Sequence, residues 1–197
     1  MIIFNKHNIE APYQELIRRY EEAQKANQPN IEAACLSTIS AQALPHSRYV
    51  NIKYINNNEI IFFSNYRSLK ASDIMSNSNI ALNFFWSTTK TQIRIEGKIA
   101  KLDAARSDDH WKTRSKYKNA LAISSNQSSL SKSYDEIKVS YESILKSADL
   151  SKRPKYWGGY SINPIYFEFW EGHKSRINKR HIYKKGETAW NQYFLQP

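Results

Sequence analysis

Apolar positions along this chain fall into two periods. Tyr13, Leu16, Ile17 and Tyr20 recur at helical spacing ahead of a charged, alanine-containing run to Lys25, which predicts an amphipathic helix with one face on the body. After Pro29-Asn30 the period shortens. Residues 34–40, 49–55 and 59–64 read as strands, the last two joined by Asn56-Asn57-Asn58, whose side chains tolerate the left-handed backbone of a tight turn. Ser68 is placed to cap a short helix through Met75, and residues 80–86 and 92–100 alternate as two more strands. Asp103 caps a helix to Thr113, and Tyr134, Ile137, Tyr141, Ile144 and Leu145 mark another that begins near Ser133. Residues 156–161, 165–171, 181–184 and 189–195 read as closing strands, with Lys185-Gly186 as the final turn and the serine-rich stretch 124–133 as a loop. Strands outnumber helices and are joined mostly by short turns. The fold class is therefore mainly β with peripheral helices, an antiparallel sheet closed into a barrel.

Composition bounds the rest. A chain of 197 residues with 41% hydrophobic content can bury one core, and no linker divides it. Its one cysteine, Cys35, falls in a strand as a buried structural thiol, so no internal disulfide is possible and a reducing, cytoplasmic compartment is expected. The apolar run Met1 to Phe4 is too short for a signal sequence, and no stretch approaches the ~20 apolar residues of a membrane span. The formal charge of +11 suits an anionic partner: nucleic acid, a phosphorylated small molecule, or simply solvent around a lysine-rich surface.

Several chemistries lack their residues. The five glycines (Gly97, Gly158, Gly159, Gly172, Gly186) form no P-loop or dinucleotide fingerprint, so side chains must hold any phosphate. His7, His46, His110, His173 and His181 are scattered, without the spacing of a helical zinc site, and no metal is expected. No serine sits in a nucleophile elbow.

What remains is an ordered series. Arg48 and Lys53 lie five apart around a strand, a spacing that puts them on opposite faces unless the strand is bulged. Phe63-Ser64-Asn65 leaves a strand and Lys70 enters the helix beyond it, a natural place for a phosphate. Gln92 opens the strand toward Gly97, Gln127-Ser128-Ser129 lies in the polar loop, and Trp157-Gly158-Gly159 opens another strand. Phe169-Trp170-Glu171-Gly172, Arg176-Ile-Asn178-Lys-Arg180, and Trp190 with Leu195-Gln-Pro197 complete it.

In this order and at these intervals, from about Ala34 to Pro197, the chain resembles the pyridoxamine 5′-phosphate oxidase family. Residues 1–30 are read as an N-terminal helical segment, and the resemblance implies that 31–197 form one FMN-binding split-barrel domain. It further implies a homodimer, with FMN in a cleft shared by the two subunits. FMN contacts would fall on Arg48, Lys53, Phe63, Ser64, Lys70, Gln92, Gln127, Ser128, Trp170 and Arg180. Substrate contacts would fall on Lys53, His110, Arg114, Lys118, Arg176 and Asn178, with Arg176 catalytic. The implied activity oxidises pyridoxamine or pyridoxine 5′-phosphate with oxygen as acceptor. No membrane takes part, and because the basic residues fall on cofactor positions and form no run of like charge, nucleic acid is not the expected partner.

The departures gather at the substrate site. The family's phosphate clamp of Tyr, Arg and Ser at four-residue intervals appears as His110, Arg114 and Lys118, and its R-x-H-D-R as Arg176-Ile-Asn178-Lys179-Arg180. Asn178 can hydrogen-bond but cannot titrate. Leu69 stands where the family carries an FMN-contacting arginine, with Arg67 two residues earlier as a possible substitute. The alternative readings are an FMN enzyme for another anionic substrate, such as a phenazine-pathway-like oxidase or flavin reductase, or a non-catalytic binding protein.

Overall fold

A computed structural model describes residues 1–4, 10–56 and 58–197; His7 and Asn57 lie outside them. Among these residues, nine strands and five α-helices follow in the order β1 (Ile3–Phe4), α1 (Ala11–Lys25), β2 (Ala33–Ile39), β3 (Pro45–Asn56), β4 (Glu59–Asn65), α2 (Leu69–Ser76), β5 (Asn79–Trp86), β6 (Thr91–Lys101), α3 (Ala104–Thr113), α4 (Lys116–Ser124), α5 (Tyr134–Ser147), β7 (Trp157–Glu171), β8 (Lys179–Lys185) and β9 (Trp190–Leu195). Strand pairing runs β3-β2-β5-β6-β7, and β4 joins β7 back to β3, so six antiparallel strands close a barrel. Alternation drives this closure. Leu36, Ile52, Phe62, Leu82, Phe84, Ile93, Ile95 and Phe167 all turn into one core, and removing such rings and branched chains from water is the main stabilising term. Helix α1 adds Tyr13, Leu16, Tyr20 and Ala23 to that core at helical spacing.

The two expected strands at 156–161 and 165–171 are one, β7. Its first half pairs with β4 up to Ile162, and its second half pairs with β8 from Tyr166, while β6 lines the other edge from Tyr160 onward. Pro164 sits in the gap between those two partners. Its missing N–H therefore breaks no ladder, which is the position a sheet permits for proline. The register shift opposite it, between Glu96 and Gly97, brings backbone so close that a Cβ on Gly97 would lie 2.5 Å from the Asn163 carbonyl oxygen. This change of partner splits the barrel and carries β8 and β9 outward.

Two further expectations change, and one helix had no local signal. Ser68 occupies the N-cap of α2, but its hydroxyl donates to the Asn65 carbonyl (2.8 Å) and caps no helix N–H. Cys35 is half-buried rather than fully buried. Helix α4 occupies a segment with no apolar stripe, burying only Asn119 and Ala120. Among the described residues, no helix is long and apolar enough to cross a membrane.

Candidate active site

The β3–β4 ladder shifts register between Ile52 and Tyr54, so a bulge does fall beside Lys53. It does not unite Arg48 with Lys53 on one partner. Lys53 Nζ lies 3.8 Å from Glu32, whereas Arg48 donates to Thr38 Oγ1 (2.6 Å) and the Leu36 carbonyl (3.2 Å). The Arg48 guanidinium also lies 3.5 Å from buried Asp73, which accepts from Thr38 at 2.6 Å and meets His46 Nδ1 at 3.0 Å. Burial alone would raise the Asp73 carboxyl, but hydrogen bonds from Thr38 and His46 and the charges of His46 and Arg48 hold it below its ordinary value. A carboxyl lowered by folding contributes stability that is present above the ordinary carboxylate range and lost as pH falls through the folded value. Asp73→Asn should therefore flatten the acid limb of stability; thermal melts of both proteins from pH 6 to 3 with parallel slopes would contradict this.

Lys70, entering α2, is buried, and its ammonium donates to Ser64 Oγ (3.0 Å), Ser68 Oγ (2.9 Å) and Gln127 Oε1 (3.1 Å). All three acceptors are neutral. Burial, then the nearby charge of Arg48, pulls the Lys70 amine down to about 8. Among the described residues it forms no ion pair, so this cation is held by dipoles and left electrostatically uncompensated. Ser64 Oγ also meets Gln127 at 3.1 Å, which ties the loop after α4 to the strand end. Ser128, next to it, takes a positive φ of 74°.

His110, Arg114 and Lys118 do not share one helix. His110 lies in the last turn of α3, Arg114 is its C-cap with ψ 148°, and Ser115 caps α4. All three nevertheless line one cleft of about 240 Å³ with Lys53, Lys70, Phe63, Ser64 and Gln127. An adjoining lobe of about 380 Å³ shares Phe63, Ser64, Arg114, Lys118 and Gln127. No carboxylate lines either lobe among the described residues. The wall is aromatic: His110 stacks on Phe63 with centroids 3.7 Å apart, Trp157 continues the stack, and the Arg114 guanidinium lies 4.4 Å from the Trp157 ring centroid. Arg114 is fixed further by Asn119 (2.9 Å) and the Lys118 carbonyl (2.7 Å). Burial, reinforced by the charges of Arg114, Lys53 and Lys118, pushes the His110 imidazole down to about 4, so it is neutral at physiological pH.

A second group of candidates stands on the outer strands. Gln92 pairs with Trp170, Trp170 with Arg180, and Arg180 with Leu195, so these side chains form one row across β6, β7, β8 and β9. Arg180 Nε donates to buried Glu168 (2.7 Å), which also accepts from Arg94 (2.7 Å) and Tyr166 (3.1 Å). Arg176, exposed in the β7–β8 loop, has a φ of 64°, and Asn178 closes that loop by accepting from the His173 N–H at 3.0 Å. No hydrogen bond or ion pair joins this row to the Lys70 cleft among the described residues. Arg67 lies over the Tyr156 ring at 4.6 Å.

The motif reading singled out neither Asp73, Glu168 nor Tyr54 as functional. Glu168 alternates with Phe167 and Phe169 like any solvent-facing charge, and only the sheet partners reveal that it is buried between two arginines. The Trp157-Gly158-Gly159 motif has a packing reason: a Cβ on Gly158 would lie 2.3 Å from the Tyr66 hydroxyl, and on Gly159 2.7 Å from Leu102.

This barrel, divided at β7 and carrying a cation-rich cleft with an aromatic wall, is a split barrel. Residues 20–147 match the pyridoxamine 5′-phosphate oxidase family model, and residues 157–197 match the pyridoxine 5′-phosphate oxidase C-terminal dimerisation region. The chain is 35% identical over 196 residues to the pyridoxine/pyridoxamine 5′-phosphate oxidase of Cytophaga hutchinsonii, covering 98% of this chain and 91% of that protein. It is 37% identical over 189 residues to the enzyme of the same name from Actinobacillus pleuropneumoniae serotype 5b, covering 94% and 89%. Among solved structures, PhzG from Burkholderia lata 383, in complex with tetrahydrophenazine-1-carboxylic acid, superposes with TM-score 0.90 at 24% identity, covering 98% of this chain and 95% of that one. A pyridoxamine 5′-phosphate oxidase-related, FMN-binding protein from Nostoc punctiforme gives 0.77 at 15% identity, covering 95% and 98%. The chain belongs to the pyridoxamine 5′-phosphate oxidase family.

Proposed function

We propose that this protein is a cytoplasmic, homodimeric, FMN-dependent oxidase that converts pyridoxamine or pyridoxine 5′-phosphate to pyridoxal 5′-phosphate with oxygen as acceptor. The observation that carries this reading is the cleft in which Lys53, Lys70, Arg114 and Lys118 converge with no carboxylate in its walls among the described residues. Four cations placed together cost free energy that an anionic ligand offsets. The donors also fit the cofactor. Lys70 and Arg48 would hold the FMN phosphate, and Ser64, Gln127, Ser128 and Gln92 would pair with ribityl and flavin edges. Phe63, Trp170 and Arg180 would complete its surroundings. Bound FMN supplies hydride acceptance from the substrate's amine- or alcohol-bearing carbon and reoxidation by oxygen to give peroxide.

The remaining work falls to the chain's own groups. Lys53, His110, Arg114 and Lys118 would clamp the substrate phosphate, Lys53 lying between the two ligands. Arg176 and Asn178 would orient the substrate ring, Arg176 being the group whose loss most misplaces the reacting carbon. The row of Gln92, Trp170 and Arg180 stands apart from the Lys70 cleft, so a second copy is what would bring them together, in keeping with the C-terminal match to a dimerisation region.

A second reading, the same fold with a different anionic substrate, is favoured by one observation: Asn178 spends its carbonyl oxygen on the His173 N–H. Purified protein is expected to be yellow, to release FMN rather than FAD on denaturation, and to form peroxide and pyridoxal 5′-phosphate from pyridoxamine 5′-phosphate in equal amounts. A colourless protein that takes up no added FMN sinks the proposal. A yellow one inert toward every B6 phosphate moves it to the second reading.

A further inference from the structure

Behind the Phe63–His110 stack lies another cavity, of about 230 Å³, lined by Tyr54, Ile61, Leu102 and Arg106 among others. Phe63 and His110 are the wall shared by this cavity and the cationic cleft, whereas Tyr54 lines only the rear one. Across that wall Tyr54 Oη meets His110 Nδ1 at 2.9 Å, and the two rings meet edge-on, with centroids 5.5 Å apart at 87°. We infer that Tyr54 is a positioning residue: it donates its hydroxyl proton to Nδ1, fixing His110 as the Nε2–H tautomer, which presents a neutral hydrogen-bond donor to an anion in the cleft.

The direction of the Tyr54 bond follows from acid strength. A phenol is a stronger acid than a neutral imidazole N–H, and an imidazole nitrogen is a better acceptor than a phenol oxygen, so O–H to Nδ1 is the favoured arrangement. With Nδ1 occupied on the rear side, the proton resides on Nε2, at the opposite edge of the ring. The cations around His110 oppose this choice until an anion binds. Lys53, Arg114 and Lys118 all present positive charge there, while Asp109, on α3, and Arg106 line the rear cavity. Cations in front of an imidazole favour a lone pair facing them. Without Tyr54 the ring would turn its lone pair to the cleft, as an acceptor facing three donors, and an incoming phosphate oxygen would meet repulsion. The hydroxyl thus keeps a neutral donor on His110 beside the charges of Lys53, Arg114 and Lys118. That the anion is a substrate phosphate rests on the function proposed above; the tautomer does not.

The test is two-armed. Long-range nitrogen–proton correlation spectra of ¹⁵N-histidine protein report each ring's tautomer, and His110→Gln identifies the signals of His110. Wild type is expected to show the Nε2–H form at neutral pH, and Tyr54→Phe, which keeps the ring, to shift His110 toward Nδ1–H. In the second arm, Tyr54→Phe should weaken equilibrium binding of pyridoxal 5′-phosphate to the FMN-loaded protein by roughly three- to tenfold. Binding of unphosphorylated pyridoxal and of FMN itself should stay unchanged. An Nδ1–H signal in wild type, or a tautomer that Tyr54→Phe leaves untouched, overturns the inference. Wild type that shows the Nε2–H form but does not bind pyridoxal 5′-phosphate upholds the positioning role and overturns the substrate reading instead.

Discussion

Lys70→Ala is expected to weaken FMN binding by roughly ten- to a hundredfold, the cost of losing about 1.5–3 kcal/mol from a charge-assisted contact to phosphate. Lys118→Ala should cost far less, because Lys118 lines the clamp side of the cleft and does not touch the Ser64–Gln127 cradle. The ammonium of Lys70 is already oriented by Ser64, Ser68 and Gln127, so little conformational entropy remains to be lost when an anion arrives. Its depressed pKa of about 8 adds a signature that a structural role would not produce. A phosphate binds the protonated amine, so wild-type affinity is highest below about pH 8 and declines as pH rises through it. Lys70→Ala should lack that decline. Flavin titrations at several pH values decide the matter: equal dissociation constants for the two variants would remove Lys70 from the phosphate site.

Much of this architecture can be read from the chain, and what cannot be read has identifiable causes. Strand alternation from Ile80 to Trp86 and caps such as Asp103 and Ser133 are local signals, and the structure carries them out: the Asp103 side chain accepts from the Arg106 N–H and that of Ser133 from the Glu136 N–H. Helix α4 left no apolar stripe because its anchors are Asn119, bonded to the Leu150 carbonyl at 3.1 Å, and Ala120. Pro164 reads as a break because proline lacks a donor, yet the sheet changes partner at that point and needs none there. At the site, residue types are legible but their grouping is not. Gln127 reaches Lys70 across 57 residues of chain. The Tyr54–His110 contact spans 56 and belongs to no periodic pattern. The buried carboxylates Asp73 and Glu168 look like surface charges until the surrounding cations are seen in place.

The separation of the two candidate groups leads to the prediction with the largest signal. If one flavin site takes Lys70 from one subunit and Arg180 from the other, two variants crippled at different halves should complement each other. Lys70→Ala and Arg180→Ala homodimers each carry a defect at every site. In a hybrid dimer, one site combines both defects and the other has neither. Random reassociation of an equal mixture makes half the dimers hybrid, so about one quarter of wild-type site occupancy should return. Arg180 suits this role because its guanidinium is partly exposed, although Glu168 holds its Nε and the Gln196 carbonyl accepts from Nη1 at 3.0 Å. The measurement is tight FMN binding, read by flavin fluorescence quenching, after the two variants are unfolded together and refolded with FMN. Separately refolded samples mixed afterwards serve as the control. Recovery near a quarter in the co-refolded sample, absent from the control, assigns each site to two chains. No recovery would mean that both halves act within one chain, and the barrel face bearing Gln92, Trp170 and Arg180 would then need another purpose.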